Sequence, residues 1–324
     1  MDAVVLDRFG GPEVLSLRSM PEPPARPGWT RVRLRATALN WHDVLVRRGL
    51  YGSPLPHVLG ADGAGATDDG QEVLILPSLF WGDREAAPAP QWEILGDTTP
   101  GTYAGYVSVP DGCLAPRPAG FSWAESAALP LVGVTAYRAL VSRARLEPGE
   151  SVLILGAGGG LALAATAIAG AMGATAFVTS SSIEKIEHAR ESGARDGVLY
   201  TSPDWPEQAR AMSPGGAGFD VVLDSVGTWT DSLRALRPGG RLVVLGASRA
   251  DESTISARPY YFGQYSLLGT TMGSPADFRG LLRLVSDGLP APLVDSTFPL
   301  ADTRDAHRHL ESGTAFGKIT LSIS

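Results

Sequence analysis

Cysteine is almost absent from this 324-residue chain, Cys113 being the only one. One thiol excludes an intramolecular disulfide and, equally, a four-thiolate structural zinc site. Charge is scarce and tilted: 27 lysines and arginines stand against 34 aspartates and glutamates, a net of −7. That balance argues against a nucleic-acid partner, which needs clustered cations to release counterions. Long hydrophobic runs are missing as well. The longest Ala/Leu-rich stretch, residues 161–172, is far below the roughly 20 residues that span a bilayer, so no membrane partner is expected. Met1-Asp2-Ala3-Val4 has no basic segment ahead of an apolar one, so no secretory leader is read there. The expectation is a soluble globular protein of the reducing cytoplasm.

Apolar residues make up 44% and charged residues 19%, too greasy for disorder and enough for a substantial core. The length points to one very large domain or two moderate ones. Glycine is in excess at 39 residues, against a usual share of about 7%. The glycines are not periodic, which excludes collagen-like repeats; they punctuate short apolar runs, as in a chain with many turns.

From residue 1 to about 122 the apolar runs are short and strand-like, over 3–6, 30–38, 71–76 and 103–109, with Pro/Gly clusters between them. This reads as a small, mainly-β domain. From 123 to 264 strands and helices alternate: strands at 151–155, 175–179, 197–200, 220–224 and 241–245, helices at 160–172, 183–192 and 230–236. Continuous apolar strands spaced by helices imply a doubly wound parallel sheet. The tail holds a strand at 266–269, helices at 275–287 and 301–311, and a last strand at 318–323. The domain boundaries expected are therefore 1–122 with 265–324, and 123–264.

The first chemistry lies in Leu155-Gly156-Ala157-Gly158-Gly159-Gly160-Leu161-Ala162. Strand, tight glycine turn and helix start form the geometry that holds a pyrophosphate on backbone N–H groups. Residues Ala157, Gly158, Gly159, Gly160 and Leu161 are the candidate contacts. Counted from Gly156, the G-x-G-x-x-G pattern ends on Leu161, which would wedge helix from strand. Counted from Ala157, small residues fill all three positions, ending at Ala162. NAD-selective sites place a carboxylate about 20 residues on, at the tip of the next strand. Here that tip reads Thr179-Ser180-Ser181-Ser182-Ile183-Glu184-Lys185. Ser180, Ser181 and Lys185 suit a 2′-phosphate, so NADPH is the expected cofactor; the alternative is that the serines only cap the helix.

Several segments carry a resemblance to a known family. Arg8-Phe9-Gly10-Gly11-Pro12-Glu13-Val14-Leu15, Asn40-Trp41-His42-Asp43, Arg48-Gly49-Leu50-Tyr51 and Leu59-Gly60-Ala61-Asp62-Gly63 follow one another in order. Gly133-Val134-Thr135-Ala136, Asp224-Ser225-Val226-Gly227 and Phe316-Gly317-Lys318-Ile319 complete the set. Over essentially the whole chain these resemble the medium-chain dehydrogenase/reductase superfamily, in its zinc-free quinone oxidoreductase branch. The resemblance implies a GroES-like catalytic domain, a Rossmann domain, an active site in the cleft between them and a homodimer paired through 266–269.

Zinc-dependent members place a cysteine where Asn40 stands and a histidine where Ala61 stands. Neither residue here is a usual ligand, and the segment 81–96, in the place of the structural-zinc lobe, lacks every cysteine. No zinc is expected. His42 and His57 read as core or rim residues; His307 and His309, two apart on a helix, read as solvated. Reducing an isolated ketone makes a basic alkoxide that calls for a Lewis acid. Conjugate hydride addition to an enone or quinone spreads the charge, which a few hydrogen-bond donors can hold. By position, Asn40 would donate to the nicotinamide or substrate, Tyr51 would bind substrate or supply a proton, and Asp43 would orient them. The alternatives are a packed aromatic for Tyr51 and a helix-start carboxylate for Asp43. The resemblance further implies Thr135 at the nicotinamide ribose, Tyr200 near the adenosine, and Ser225 with Gly246, Ala247 and Ser248 at the strand ends. It also puts Lys318 at the cofactor phosphates and Tyr260–Phe262 on a pocket wall. The expected function is NADPH-dependent, zinc-independent reduction of a small quinone or α,β-unsaturated carbonyl. A biosynthetic carbonyl or enoyl reductase is the enzymatic alternative, and an NADPH-binding sensor or structural protein the non-enzymatic one.

Overall fold

The strand Trp29–Ala38 alternates as a half-buried strand must: Val32, Leu34 and Ala36 are buried, Arg33 and Arg35 exposed. In the computed structural model, which describes residues 1–248 and 252–324, this strand is the spine of a seven-stranded sheet. Asp62–Thr67 and Tyr106–Pro110 both pair antiparallel to it. So does the C-terminal strand Lys318–Ser322, with Thr320 opposite Ala38. Val294–Pro299 extends the sheet parallel to that last strand; its polar residues Asp295, Ser296 and Thr297 hide it from a hydrophobicity reading. The tail of the chain therefore completes the sheet begun at its head. Met1–Val134, Ser274–Ser286 and Ala291–Ser324 form one compact unit.

The second unit, Thr135–Gly273 with Asp287–Pro290, is built on a parallel sheet. Its order is Asp196–Leu199, Thr175–Ser180, Ser151–Ile154, Phe219–Asp224, Leu236–Val244 and Ser266–Gly269. The helices Gly160–Ala171, Ile183–Glu191, Trp205–Met212, Trp229–Ala235 and Ala257–Phe262 separate successive strands. Ser151–Ile154 is buried throughout, as a strand covered on both faces must be. Phe177 and Phe219 meet edge to face at 5.2 Å within a core that includes Leu153, Val222 and Leu242; burying each such ring stabilises by about 1.5–3 kcal/mol. Leu236–Val244 starts five residues before the expected strand because its register jumps between Phe219 and Val221, leaving residues 237–240 as an unpaired excursion. Among the described residues the two units of this α/β architecture carry one seven-stranded mixed sheet and one six-stranded parallel sheet, with smaller antiparallel sheets of three and two strands. Among the described residues no helix is long and apolar enough to cross a membrane.

Candidate active site and cofactor cradle

In the parallel-sheet unit most of the predicted cofactor residues lie at or just beyond the carboxyl ends of neighbouring strands, while Thr135 and Lys185 stand in helices. Gly156 has φ +117°, open to glycine and strained for other residues, and its N–H donates to Thr179 Oγ1 at 3.1 Å. The helix Gly160–Ala171 begins on Gly159 with no side-chain cap and no acidic residue in its first turn, which leaves its positive end available to an anion. It is Ala162 that turns towards the strand: a Cβ on Gly156 would lie 3.8 Å from the Ala162 methyl, while Leu161 is only half-buried. Ser180 is buried and its hydroxyl accepts the Ser182 N–H at 3.1 Å; Ser182 in turn caps Lys185 N at 3.3 Å. Ser181 is exposed. Tyr200 N donates to Ser180 O at 2.9 Å. Asp224, fully buried, pins the next turn by accepting Val226 N and Gly227 N at 2.7 and 2.9 Å and the Ser232 hydroxyl at 2.8 Å. Ser225 then lies against Gly246, where a Cβ would stand 2.7 Å from Ser225 O. Gly246, Ala247 and Ser248 are exposed beside it. Thr135 is buried and its hydroxyl meets Met272 Sδ at 3.7 Å. Tyr261 and Phe262 are 53% and 70% exposed, so they do not form an aromatic core.

The mainly-β unit holds the predicted catalytic residues, and most of them are buried in a polar cluster. Lys318 Nζ donates to Leu39 O at 2.8 Å, Asn40 Oδ1 at 2.5 Å and Asp62 Oδ2 at 3.1 Å. Three acceptors thus take the three donors of the Lys318 ammonium. Asn40 Nδ2 donates to Asp62 Oδ2 at 2.9 Å, and Asp62 Oδ1 accepts Leu131 N at 2.7 Å. Asn40 therefore has both ends of its amide occupied. Asp43 closes the helix Trp41–Arg47 by accepting Asn40 N–H at 2.7 Å and also takes the Tyr103 hydroxyl at 3.2 Å. Burial, countered by His42 and Lys318, pushes the Asp43 carboxyl up to about 6. Tyr51, by contrast, is 47% exposed. Its ring meets His42 edge-on at 4.5 Å, and His42 Nε2 lies 2.6 Å from Asp97 Oδ1.

Sequence reasoning missed this cluster's partners, because Lys318 and Asp62 are 256 residues apart. It also misplaced His307, expected to be solvated. That ring is fully buried, edge-on to Tyr103 at 5.8 Å, with Nδ1 3.0 Å from Arg47 Nη1. Burial holds it neutral, down to about 3. His309 is paired with Asp295 at 2.7 Å, and His57 is buried against Gly96 O at 2.8 Å.

Residues 160–287 match the sequence model of the zinc-binding dehydrogenase family. A zinc-type alcohol dehydrogenase-like protein of Schizosaccharomyces pombe is 31% identical over 319 residues, 92% of this chain and 91% of its own. Component PikAII of the pikromycin polyketide synthase of Streptomyces venezuelae is 33% identical over 309 residues, 93% of this chain and 8% of its own. The crystal structure of an NAD-dependent alcohol dehydrogenase superposes with a TM-score of 0.94 at 40% identity, covering 100% of both chains. This chain belongs to the medium-chain dehydrogenase/reductase superfamily and is one of its oxidoreductases.

Zinc stands in the names of several relatives, and the two positions where the resemblance puts its ligands hold other chemistry here. Ala61 offers a methyl group, and the Asn40 amide is already engaged by an ammonium and a carboxylate. Among the described residues no three His, Cys, Asp or Glu side chains converge as ligands.

Proposed function

We propose that this oxidoreductase uses NADPH, works without zinc, and reduces a quinone or an α,β-unsaturated carbonyl. The observation that carries this is the Lys318–Asn40–Asp62 cluster, which seals with an ammonium the position where zinc-dependent relatives keep a metal ligand. With no Lewis acid to hold an alkoxide, acceptors that delocalise the incoming charge are favoured. Bound NADPH supplies the hydride. Residues Ala157–Leu161 would present backbone N–H groups to its pyrophosphate, and Ser180, Ser181 and Lys185 would take the 2′-phosphate, no carboxylate standing at that strand tip. Thr135, Tyr200, Ser225 and Gly246–Ser248 would line the rest of the cofactor. Tyr51, the one predicted catalytic side chain that is exposed, would supply the proton, while Asp43 and Asn40 hold the start of the helix Trp41–Arg47.

A second reading, a biosynthetic carbonyl or enoyl reductase, is favoured by the match to a polyketide synthase component over 93% of this chain. Homodimerisation through the sheet-edge strand Ser266–Gly269 completes the proposal. The test is NADPH and NADH oxidation recorded with a quinone panel, an enone panel and simple ketones. Turnover on quinones or enones with NADPH preferred supports the proposal. NADH binding as tightly as NADPH contradicts the 2′-phosphate site, and tight NADPH binding without any turnover points to a sensor.

A further inference from the structure

Two side chains of the mainly-β unit, His42 and Asp97, stand beside Tyr51. His42 stands in the first turn of Trp41–Arg47, Tyr51 in the loop after it, and Asp97 in the turn that follows Glu93–Ile94. Asp97 is fixed by its own turn: its N–H donates to Ile94 O at 2.9 Å and its Oδ2 accepts Ile94 N at 3.3 Å. Its other oxygen grips His42 Nε2 at 2.6 Å, both side chains being mostly buried at 9% and 14% exposure. The clamped imidazole meets the Tyr51 ring at 4.5 Å and 70°.

We propose that His42, clamped by Asp97, is a positioning residue that holds the Tyr51 ring and governs proton delivery from its hydroxyl. This rests on Tyr51 being the proton donor. The physical argument is local charge. Burial and the Asp97 carboxylate both push the Tyr51 hydroxyl above its ordinary range, because a tyrosinate beside a carboxylate is penalised. The hydrogen bond between His42 Nε2 and Asp97 Oδ1 draws on that carboxylate's charge and so lessens its penalty on a tyrosinate at Tyr51. The other groups facing the pair are Asp43 on the same helix, buried and raised to about 6, and His57, bonded to Gly96 O and influenced by Asp97 and Glu93. Arg48 lies outside, its guanidinium 5.7 Å from the Trp41 ring. Bound NADPH would supply hydride to the acceptor's electrophilic carbon. The Tyr51 O–H bond then breaks, its proton passes to the resulting enolate or quinol anion, and solvent reprotonates the tyrosinate.

Two readouts test this. Alkaline titration of tyrosinate absorbance, taken as wild type minus Tyr51→Phe, isolates Tyr51 without any substrate. The pH profile of kcat reports the same group in turnover. Asp97→Asn keeps the side-chain shape and removes the charge, so the Tyr51 midpoint is expected to fall by about one pH unit, with the alkaline limb of kcat falling alongside and KM within twofold. His42→Phe keeps a ring against Tyr51 and strips Asp97 Oδ1 of its hydrogen bond, so it lowers kcat severalfold. In a Tyr51→Phe background neither substitution changes kcat further. A normal loss in Tyr51→Phe with an unmoved midpoint in Asp97→Asn overturns the pair alone. Full kcat in Tyr51→Phe overturns the donor role and proton delivery with it.

Discussion

Replacing Lys318 with methionine keeps an unbranched side chain of similar length and deletes one buried ammonium. Leu39 O, Asn40 Oδ1 and Asp62 Oδ2 lose a donor that now stands at 2.8, 2.5 and 3.1 Å. Asp62, fully buried, keeps Leu131 N and Asn40 Nδ2 but no countercharge. Breaking one side of a buried pair costs about 3–5 kcal/mol, a large fraction of the roughly 5–15 kcal/mol that holds a typical domain together. Urea unfolding followed by tryptophan fluorescence measures it, since Trp81 and Trp92 lie in the same unit. Lys318→Met is expected to lower stability by that amount. Lys318→Met with Asp62→Asn should cost less than the sum of the two single changes, because the stranded charge is gone. A loss below about 1 kcal/mol, or strict additivity, would refute the coupled pair. NADPH affinity should stay within twofold in Lys318→Met; a tenfold, salt-dependent loss would return Lys318 to the cofactor phosphates.

Asp43 has a folded value of about 6 against an ordinary 3.8, so the folded state holds the extra proton between those values. This group therefore favours folding as pH falls from 6 towards 4 and opposes it above 6. Asp43→Asn should gain on the wild type by about 2 kcal/mol between pH 4 and pH 7, measured by urea midpoints; a constant difference contradicts this. Gly246→Ala would set a Cβ 2.7 Å from Ser225 O, so one of the two strand-end loops must move. Weaker NADPH binding by about tenfold, with a stability loss of about 1–3 kcal/mol, is expected by titration and thermal melting. The proposed dimer predicts that the wild type scatters light as two chains and that Leu267→Glu on the edge strand Ser266–Gly269 scatters as one; a monomeric wild type contradicts it.

The glycine turn at 156–160 and the strands around it were legible because local chemistry dictates them: a tight strand-to-helix turn needs small residues, and doubly covered strands need unbroken apolar runs. The capping carboxylate of Asp43 was legible for the same reason, three residues after Asn40. What escaped was held by long-range pairing. Nothing near Lys318 in sequence says that its ammonium ends beside Asn40, or that His307 is buried against Tyr103 and Arg47. Val294–Pro299 escaped because an edge strand need not be apolar. His42 looked like an idle rim histidine until Asp97, 55 residues on, was set beside it.

The most direct measurement is steady-state NADPH oxidation at 340 nm by protein stripped of metal with a chelator. Expected is undiminished reduction of a quinone or enone, no response to added zinc, and a lower KM for NADPH than for NADH. Turnover confined to simple alcohols or ketones, and restored only by zinc, would contradict it.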